Sequence, residues 1–498
     1  MKLHNLYILI LLNSMLLSSA YSQGITEAVR YSSGFNSPTA RVLGVGGAFG
    51  AMGGDISSLN INPAGIGDYN KGEFVFGTSI NNVSSDAFIV GLESDNQKKN
   101  SSRFLVDNLG FVFAKRPNSS SWLTSNFAIG YLKTASFNED FYYEGINQTS
   151  ILSQFQEQAF DGNFSEFGNQ LAVETGAIYE INGDNYYHTD IEGRNLPIFK
   201  SQNVERRGSS GELAFGWAGN YRNNVNFGLS LGIPILSFEE TKIYEENNDA
   251  IDIANQFEFS DLSYIEKLET SGVGFNIKLG AVVKTGSNLR FGVAFHSPTW
   301  YSLNDDYYAT FDYSYYDSGN LINDDPAKSP DGHFKYSLST PWKAIGSVGY
   351  LFNFGSLKGF ANVDFEYLDY RNNHIGYNDD SENPDDLYNE LLVNNQIDDQ
   401  LDKVLNVRMG TELVIADFYR ARLGYEILPS PFYDDVNNSA FSAGLGYRGD
   451  GFYIDLGLRF GSKSSGYLPY TFKNSDDDLL VNVDQNQTKG NLTVGFKF

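Results

Sequence analysis

From residue 73 to the end, one segment after another trades apolar and polar residues at every second position. At the C-terminus Leu492, Val494, Phe496 and Phe498 alternate with Asn491, Thr493, Gly495 and Lys497. Further back, Phe452, Ile454, Leu456, Leu458 and Phe460 oppose Tyr453, Asp455, Gly457 and Arg459. Leu405, Val407, Met409 and Leu413 likewise oppose Asn406, Arg408, Gly410 and Glu412. Period two predicts strands with two unlike faces. The polar face is glycine mixed with Arg, Asp and Glu. That suits a narrow lumen crossed by charge pairs better than the long, varied outer face of a soluble sandwich.

Fourteen such segments are predicted: 73–83, 104–116, 122–138, 211–222, 225–243, 262–285, 289–303, 335–354, 358–371, 403–416, 419–428, 439–449, 452–463 and 488–498. Short turns between them alternate with long polar loops. An even strand count and short-long asymmetry are what a single-chain transmembrane barrel requires. The expected fold class is therefore all-β: a 14-stranded antiparallel transmembrane β-barrel. The long loops are placed at 84–103, 139–210, 244–261, 304–334, 372–402, 429–438 and 464–487, and they carry acidic runs such as Asp379-Asp380 and Asp476-Asp477-Asp478. Two stretches inside them read as helical, Ser150–Val173 and Asp385–Lys403. Pro234, inside a strand-like run, should disturb the ladder there, because proline supplies no donor.

The segment before the strands follows neither pattern. Residues 1–22 read as a signal peptide: Lys2, an apolar run from Leu6, and Ala20-Tyr21-Ser22 before a mature start near Gln23. Residues 23–71 are expected to form a plug, or hatch, inside a barrel made by residues 72–498. The stretch Gly34–Tyr69 is rich in small residues and too poor in bulk to build its own core. Gly44, Gly46, Gly47, Gly50, Gly53 and Gly54 would let its backbone approach a wall closely. Asn62-Pro63-Ala64-Gly65 would make a rigid exit turn, although Asn-Pro dipeptides usually mark nothing more than a tight turn.

Composition narrows the functions. The 498 residues include no cysteine, 50 glycines and 15% aromatics, and carry a formal charge of −26. That removes disulfides and thiolate metal sites, and makes nucleic acid a poor partner. No cofactor or metal site is expected. GVGGAFGAMGG lacks the Lys-Ser/Thr of a phosphate loop, and no histidine sits in a zinc-ligand spacing. An acidic run such as Asn304–Tyr308 could hold Ca²⁺, though solvated loop surface is the simpler reading.

The N-terminal block TARVLGVGGAFGAMGGDISSLNINPAG, and Asn62-Pro63-Ala64 within it, resembles the plug signature of the FadL/TodX family. LRFGVAFHSPTWYSL (289–303), TPWKAIGSVGYLF (340–352), VDFEYLDY (363–370), RARLGYEILPSPF (420–432) and NSAFSAGLGYRGDGFYIDLGLRF (438–460) resemble its strands. The resemblance implies an outer-membrane carrier of long-chain fatty acids or hydrocarbons, not an enzyme. It implies a fourteen-strand barrel plugged by a small N-terminal hatch, from which substrate leaves sideways into the membrane.

The expected hatch residues are Gly46, Gly47, Gly53, Gly54, Asn62, Pro63 and Ala64. Candidate ligand contacts are Phe155 and Phe160 in a loop and Arg290, His296 and Arg422 in the lumen. Arg290 or Arg422 could meet a substrate carboxylate, while the ordinary role for all three is in the lumen's own pairing network. His296 has no catalytic serine on its face, since Ser297 points the other way. Expected partners are a hydrophobic small molecule, outer-membrane lipid and lipopolysaccharide, and the barrel-assembly machinery through the C-terminal Phe498, with the protein a monomer. The rival readings are an adhesin or assembly protein displayed on a barrel, an outer-membrane lipid hydrolase, and a general porin.

Overall fold

The computed structural model describes residues 24–34, 38–92, 97–118, 121–181, 186–192, 197–248, 259–286, 288–323, 325–355, 357–377, 384–432, 437–473 and 478–498. The expected signal peptide and the Asp379-Asp380 run lie outside them.

Fourteen antiparallel strands form one wall: β1 (Glu73–Ile89), β2 (Lys99–Phe113), β3 (Trp122–Ser136, resumed at Glu139–Asn147), β4 (Ile198–Tyr221) and β5 (Val225–Asn248). Then come β6 (Phe259–Lys284), β7 (Leu289–His296, resumed at Trp300–Asp317), β8 (Gly332–Ser339, resumed at Lys343–Phe354) and β9 (Leu357–Asp369, resumed at His374–Tyr377). The set ends with β10 (Lys403–Ile415), β11 (Tyr419–Pro429), β12 (Asn437–Arg448), β13 (Phe452–Tyr467) and β14 (Val481–Lys497). Each strand pairs with the next. β14 pairs with β1 from Glu73↔Lys497 to Ile89↔Val481, which closes the cylinder.

Exposure along the strands is inverted relative to a water-soluble protein. On β13 Ile454, Leu456 and Phe460 face out and are exposed, while Asp455 and Arg459 face in and are buried. On β10 Leu405 and Met409 are exposed, and Arg408 and Glu412 are buried. An apolar outside and an ionic inside is the arrangement lipid demands of a barrel. No described helix is long and apolar enough to cross a membrane.

The short-turn end closes with local chemistry. Arg222 and Asn223 both take positive φ (50° and 59°), as do Ala416 and Asp417 (50° and 60°), the geometry that two-residue hairpins prefer.

At the other end the strands run further than their alternation suggests. β5 has 24 residues and β6 has 26; at ~3.3 Å each that is roughly 80 Å of strand, well beyond a bilayer even when tilted. Thus 139–147, 198–210 and 304–317, expected as loop, are strand. Asn304–Tyr308, the Ca²⁺ candidate, is paired in β7: Asp305 faces Thr270 and Tyr307 faces Leu268. Beyond the membrane the pattern reverses: Ala309, Phe311 and Tyr313 turn inward into an apolar core, while Thr310 and Asp312 turn outward.

Three prolines mark breaks. Pro298 and Pro341 lie in the interruptions of β7 and β8. Pro234 keeps its place opposite Glu212 on β4, but the ladder to β6 skips from Gly232↔Asn276 to Ile235↔Val273.

Six helices accompany the wall among the described residues: α1 (Ile25–Ser32), α2 (Ala40–Gly44), α3 (Ser58–Ile61), α4 (Ile151–Phe160), α5 (Asn169–Glu174) and α6 (Pro384–Gln400). The expected single helix over Ser150–Val173 is two, separated by Gly162 at φ 75°. α4 and α5 pack into the outer end through Ile151, Leu152, Phe155, Ala159, Leu171 and Ala172. There they meet Tyr143, Tyr244, Phe311 and Tyr470.

Candidate functional site: the filled lumen and a parting in its wall

Residues 38–69 lie against the inner face at the short-turn end, and nearly all are buried. The wall makes room by presenting glycine. A Cβ on Gly228 would collide with the backbone at Pro63 and Ala64, and one on Gly424 with Val45 and Gly46. Gly216 would meet Leu59, Gly280 Asn62, Gly292 Gly50, Gly349 Met52 and Gly410 Val45. Each of these glycines belongs to a different strand. Backbone meets backbone at Gly228, Gly292, Gly410 and Gly424, while Gly216, Gly280 and Gly349 make room for the side chains of Leu59, Asn62 and Met52.

Within the segment Gly46, Gly47 and Gly54 take φ of 63°, 73° and 69°, a region that costs other residues strain. A side chain on Gly53 would sit 2.6 Å from the carbonyl oxygen of Gly65. Asn62 organises the exit. Its Oδ1 accepts from Ala64 N (3.2 Å) and its Nδ2 donates to Gly50 O (2.7 Å). Pro63 opens the 3₁₀ turn Pro63–Asp68, where its missing N–H costs nothing.

Polar latches tie this segment to the strands. Asp364 Oδ2 accepts from the backbone nitrogens of Phe49 (2.8 Å) and Gly50 (2.9 Å). Asp68 pairs with Arg290 (2.9 Å) and with Lys284, and accepts from Asn226 (2.8 Å). Burial alone would raise the Asp68 pKa, but the two cations outweigh it and hold the carboxyl below its ordinary value. Arg41 reaches Glu412 (3.1 Å), which also takes Arg422 Nε (2.7 Å); Arg422 goes on to Asp455 (2.8 Å), and Asp455 to Arg448 (2.9 Å). His296 Nε2 lies 3.1 Å from Ile61 O. Ser297 Oγ donates to Pro298 O and accepts from Ile277 N, and forms no couple with His296.

The five candidate ligand contacts are not brought together. Arg290 and Arg422 are occupied by internal carboxylates. His296 is bonded to the N-terminal segment. Phe155 is buried between Tyr264 and Phe311, with ring centres 5.7 and 5.9 Å away. Of the two loop phenylalanines only Phe160 is exposed, beside Tyr186. An amphipathic helix signals burial as readily as ligand capture, and here the outer-end core takes Phe155.

Between the two ends a third apolar cluster surrounds α1. Ala28 and Tyr31 pack with Phe137, Leu236, Phe238, Leu303, Leu338 and Tyr370. The Tyr31 ring stands edge-on to Phe137 (5.9 Å) and Phe238 (6.0 Å), and Arg30 lies over Phe238 at 4.3 Å.

The wall parts in one place that sequence did not disclose. β2 and β3 pair only from Asn108↔Leu132 to Phe113↔Phe127. Above that, residues 99–107 stay on β1 and residues 133–147 stay on β4. Two bulges flank the divergence: between Gly77↔Asn108 and Thr78↔Val106, Asp107 is the extra residue of β2, and between Lys133↔Gly211 and Ala135↔Ser210, Thr134 is the extra residue of β3. Asp107 is turned inward to Lys489 (2.9 Å) and Asn491 (2.6 Å). The resumed part of β3 folds into the lumen, where Phe141 meets Tyr467 of β13 (5.2 Å) and Glu139 meets Gln485 of β14.

Three solved structures share this architecture. The Pseudomonas putida toluene transporter TodX matches with a TM-score of 0.50 and 14% identity, over 93% of this chain and 98% of its own. The Ralstonia pickettii toluene transporter TbuX matches at 0.51 and 13%, over 94% and 99%. A Pseudomonas aeruginosa FadL homologue matches at 0.54 and 12%, over 94% and 100%. The fold is that of the FadL/TodX barrels. No family model and no curated relative matches the sequence. The FadL/TodX likeness thus rests on the fold, which extends over nearly the whole length of each protein compared.

Proposed function

We propose that the protein is an outer-membrane channel that lets small hydrophobic molecules diffuse inward without an energy source, residues 38–69 acting as a hatch that closes the periplasmic end. One observation carries the reading: the unpaired edges of β2 and β3 above Asn108↔Leu132. Backbone groups left without partners in a bilayer are costly, and a barrel is closed so that none are. A parting there has a reason if solutes leave through it sideways into the membrane, bypassing the hatch. Three further features support the same reading: the apolar cluster around α1, the latched hatch, and fold neighbours that include two toluene transporters.

Binding needs little polar recognition. Each buried CH₂ contributes roughly 0.8 kcal/mol, and a long acyl chain or an aromatic hydrocarbon is held by transfer from water alone. Lipid and lipopolysaccharide surround the apolar belt. Phe498, exposed at the end of β14 with its N–H bonded to Gly72 O (3.0 Å), is the residue offered to the assembly machinery.

The test is uptake of radiolabelled oleate and of toluene by cells lacking their own carriers, with and without this chain. Equal uptake sinks the proposal. Large single-channel conductance by the intact protein would instead favour a porin.

A further inference from the structure

Among the described residues, the upper end of β9 is bordered on one side by no strand. After its last pair with β10, Asp369↔Lys403, β9 turns through Tyr370–Asn372 and resumes at His374–Tyr377, paired only with β8. α6 fills the place that an upward continuation of β10 would take. The Asn394 amide imitates a strand partner: its Oδ1 accepts from Ile375 N (3.0 Å) and its Nδ2 donates to Ile375 O (2.7 Å). Glu390 Oε2 accepts from Tyr377 N (2.8 Å).

The helix has two unlike faces. Val393 and Ile397, with Leu401 just beyond its end, are buried in the same cluster as Ala28, Tyr31, Leu338 and Tyr370. Leu387, Tyr388 and Leu391 are more than half exposed, at 62, 53 and 57%. Its ends are also unlike. The C-terminal end is fixed to backbone, with Leu401 bridged to Phe432 and Asp402 N bonded to Pro431 O (2.8 Å). The N-terminal half is held to β9 by the side chains of Glu390 and Asn394.

We infer that α6 is a hinged cover over a second opening in the wall, at the outer rim between β9 and β11, through which apolar molecules reach the cluster around α1. This rests on the transport reading and adds the way in. A strand in that position would close the rim with backbone ladder, and moving it would tear the sheet. A helix attached to β9 by side chains in place of a backbone ladder can lift from it while every ladder of the barrel stays intact. Lifting it uncovers Val393, Ile397 and the cluster beneath, a surface that takes an apolar solute and offers nothing to an ion. Leu387, Tyr388 and Leu391 give such a solute its first contact, since they are already exposed with the cover closed.

The absence of native cysteine makes the test clean. Tyr377→Cys with Glu390→Cys, joined by a short thiol cross-linker, ties the cover to β9; Asn394→Ala frees it. The readout is the association rate of N-phenyl-1-naphthylamine, whose fluorescence rises in apolar surroundings, with purified protein whose heat-shifted migration shows an intact barrel. Cross-linking should slow association about tenfold and reversal of the link should restore it, while Asn394→Ala should speed it. Equal rates in the linked, unlinked and Asn394→Ala proteins overturn the cover and leave the transport reading standing. Failure of the parent chain to bind the dye at all overturns both.

Discussion

Arg290 reaches from the barrel wall to Asp68 at 2.9 Å, and this pair, with Lys284 on the same carboxylate, fastens the last turn of the N-terminal segment to β6 and β7. All three groups are largely buried. Removing one partner of such a set costs roughly 3–5 kcal/mol, because the charges left behind have little water to replace it. Asp68→Asn should therefore loosen residues 63–69 without opening the strands. The expected result is frequent current bursts in planar bilayers with unchanged heat-shifted migration; a silent Asp68→Asn channel would count against the latch.

The same carboxylate sets a pH limit. Its folded pKa lies below the ordinary carboxylate value, so its contribution is complete above the unfolded pKa of about 3.9 and is lost as pH falls through the folded one. Parent protein should stay closed at pH 7 and pH 5 and begin to leak only below about pH 4. Asp68→Asn should leak throughout. Conductance recorded over that range checks the sign.

Glycines of the wall separate two kinds of small change. Gly228→Ala puts a methyl group into the Pro63–Ala64 backbone, whereas Gly346→Ala meets nothing within 4 Å. The first should displace the turn Pro63–Asp68, raising conductance and exposing residues near 63 to protease. The second should leave both unchanged. Equal behaviour of the two variants would mean that residues 38–69 do not rest on the wall as described.

The parts of this molecule that were legible in sequence are those where lipid imposes a rule. Leu456 and Asp455 announce their faces because one meets acyl chains and the other a closed lumen. Turns such as Arg222–Asn224 show in their polar residues. The outer parts of β4 and β7 and the resumed part of β3 were hidden because there the apolar residues, Val204, Phe311 and Phe141 among them, face inward, the reverse of the lipid-facing pattern. Asn304–Tyr308 looked like loop because Asn304 and Asp306, turned outward beyond the membrane, are polar. Asp107 reads as one more polar residue in a strand; only its register against Gly77 and Thr78 makes it a bulge. The role of Asn394 depends on Ile375, which is nineteen residues away in sequence and adjacent only in the fold. Arg290 and Arg422 were read as members of a lumen pairing network, with a substrate carboxylate as the alternative; alternation turns them inward but does not name Asp68, Glu412 and Asp455 as their partners.

Arg422 gives a test of that last distinction. It is buried between Glu412 and Asp455, and Arg422→Met would leave each carboxylate one guanidinium partner, Arg41 and Arg448 respectively. The cost should be roughly 1.5–3 kcal/mol, seen as a lower unfolding temperature. If the residue serves the wall alone, the variant's affinity for oleate and for an uncharged hydrocarbon should change equally. A loss confined to oleate would assign Arg422 to the ligand.

The parting between β2 and β3 begins between two bulges, one on each strand. Asp107 is the unmatched member of the β1–β2 ladder, and the pairs on both sides, Gly77↔Asn108 and Thr78↔Val106, are already in register. Deleting it should straighten β2 and leave the contacts with β1 intact, bringing residues 99–106 toward the free edge of β3. The loss of its bonds to Lys489 and Asn491 falls on the lumen side and should lower stability modestly. If solutes leave through the parting, the deletion should cut toluene and oleate uptake about tenfold or more while dye binding to the purified protein persists, since exit and not entrance is blocked. Uptake at the parent rate from a correctly folded deletion variant would move the exit elsewhere in the wall.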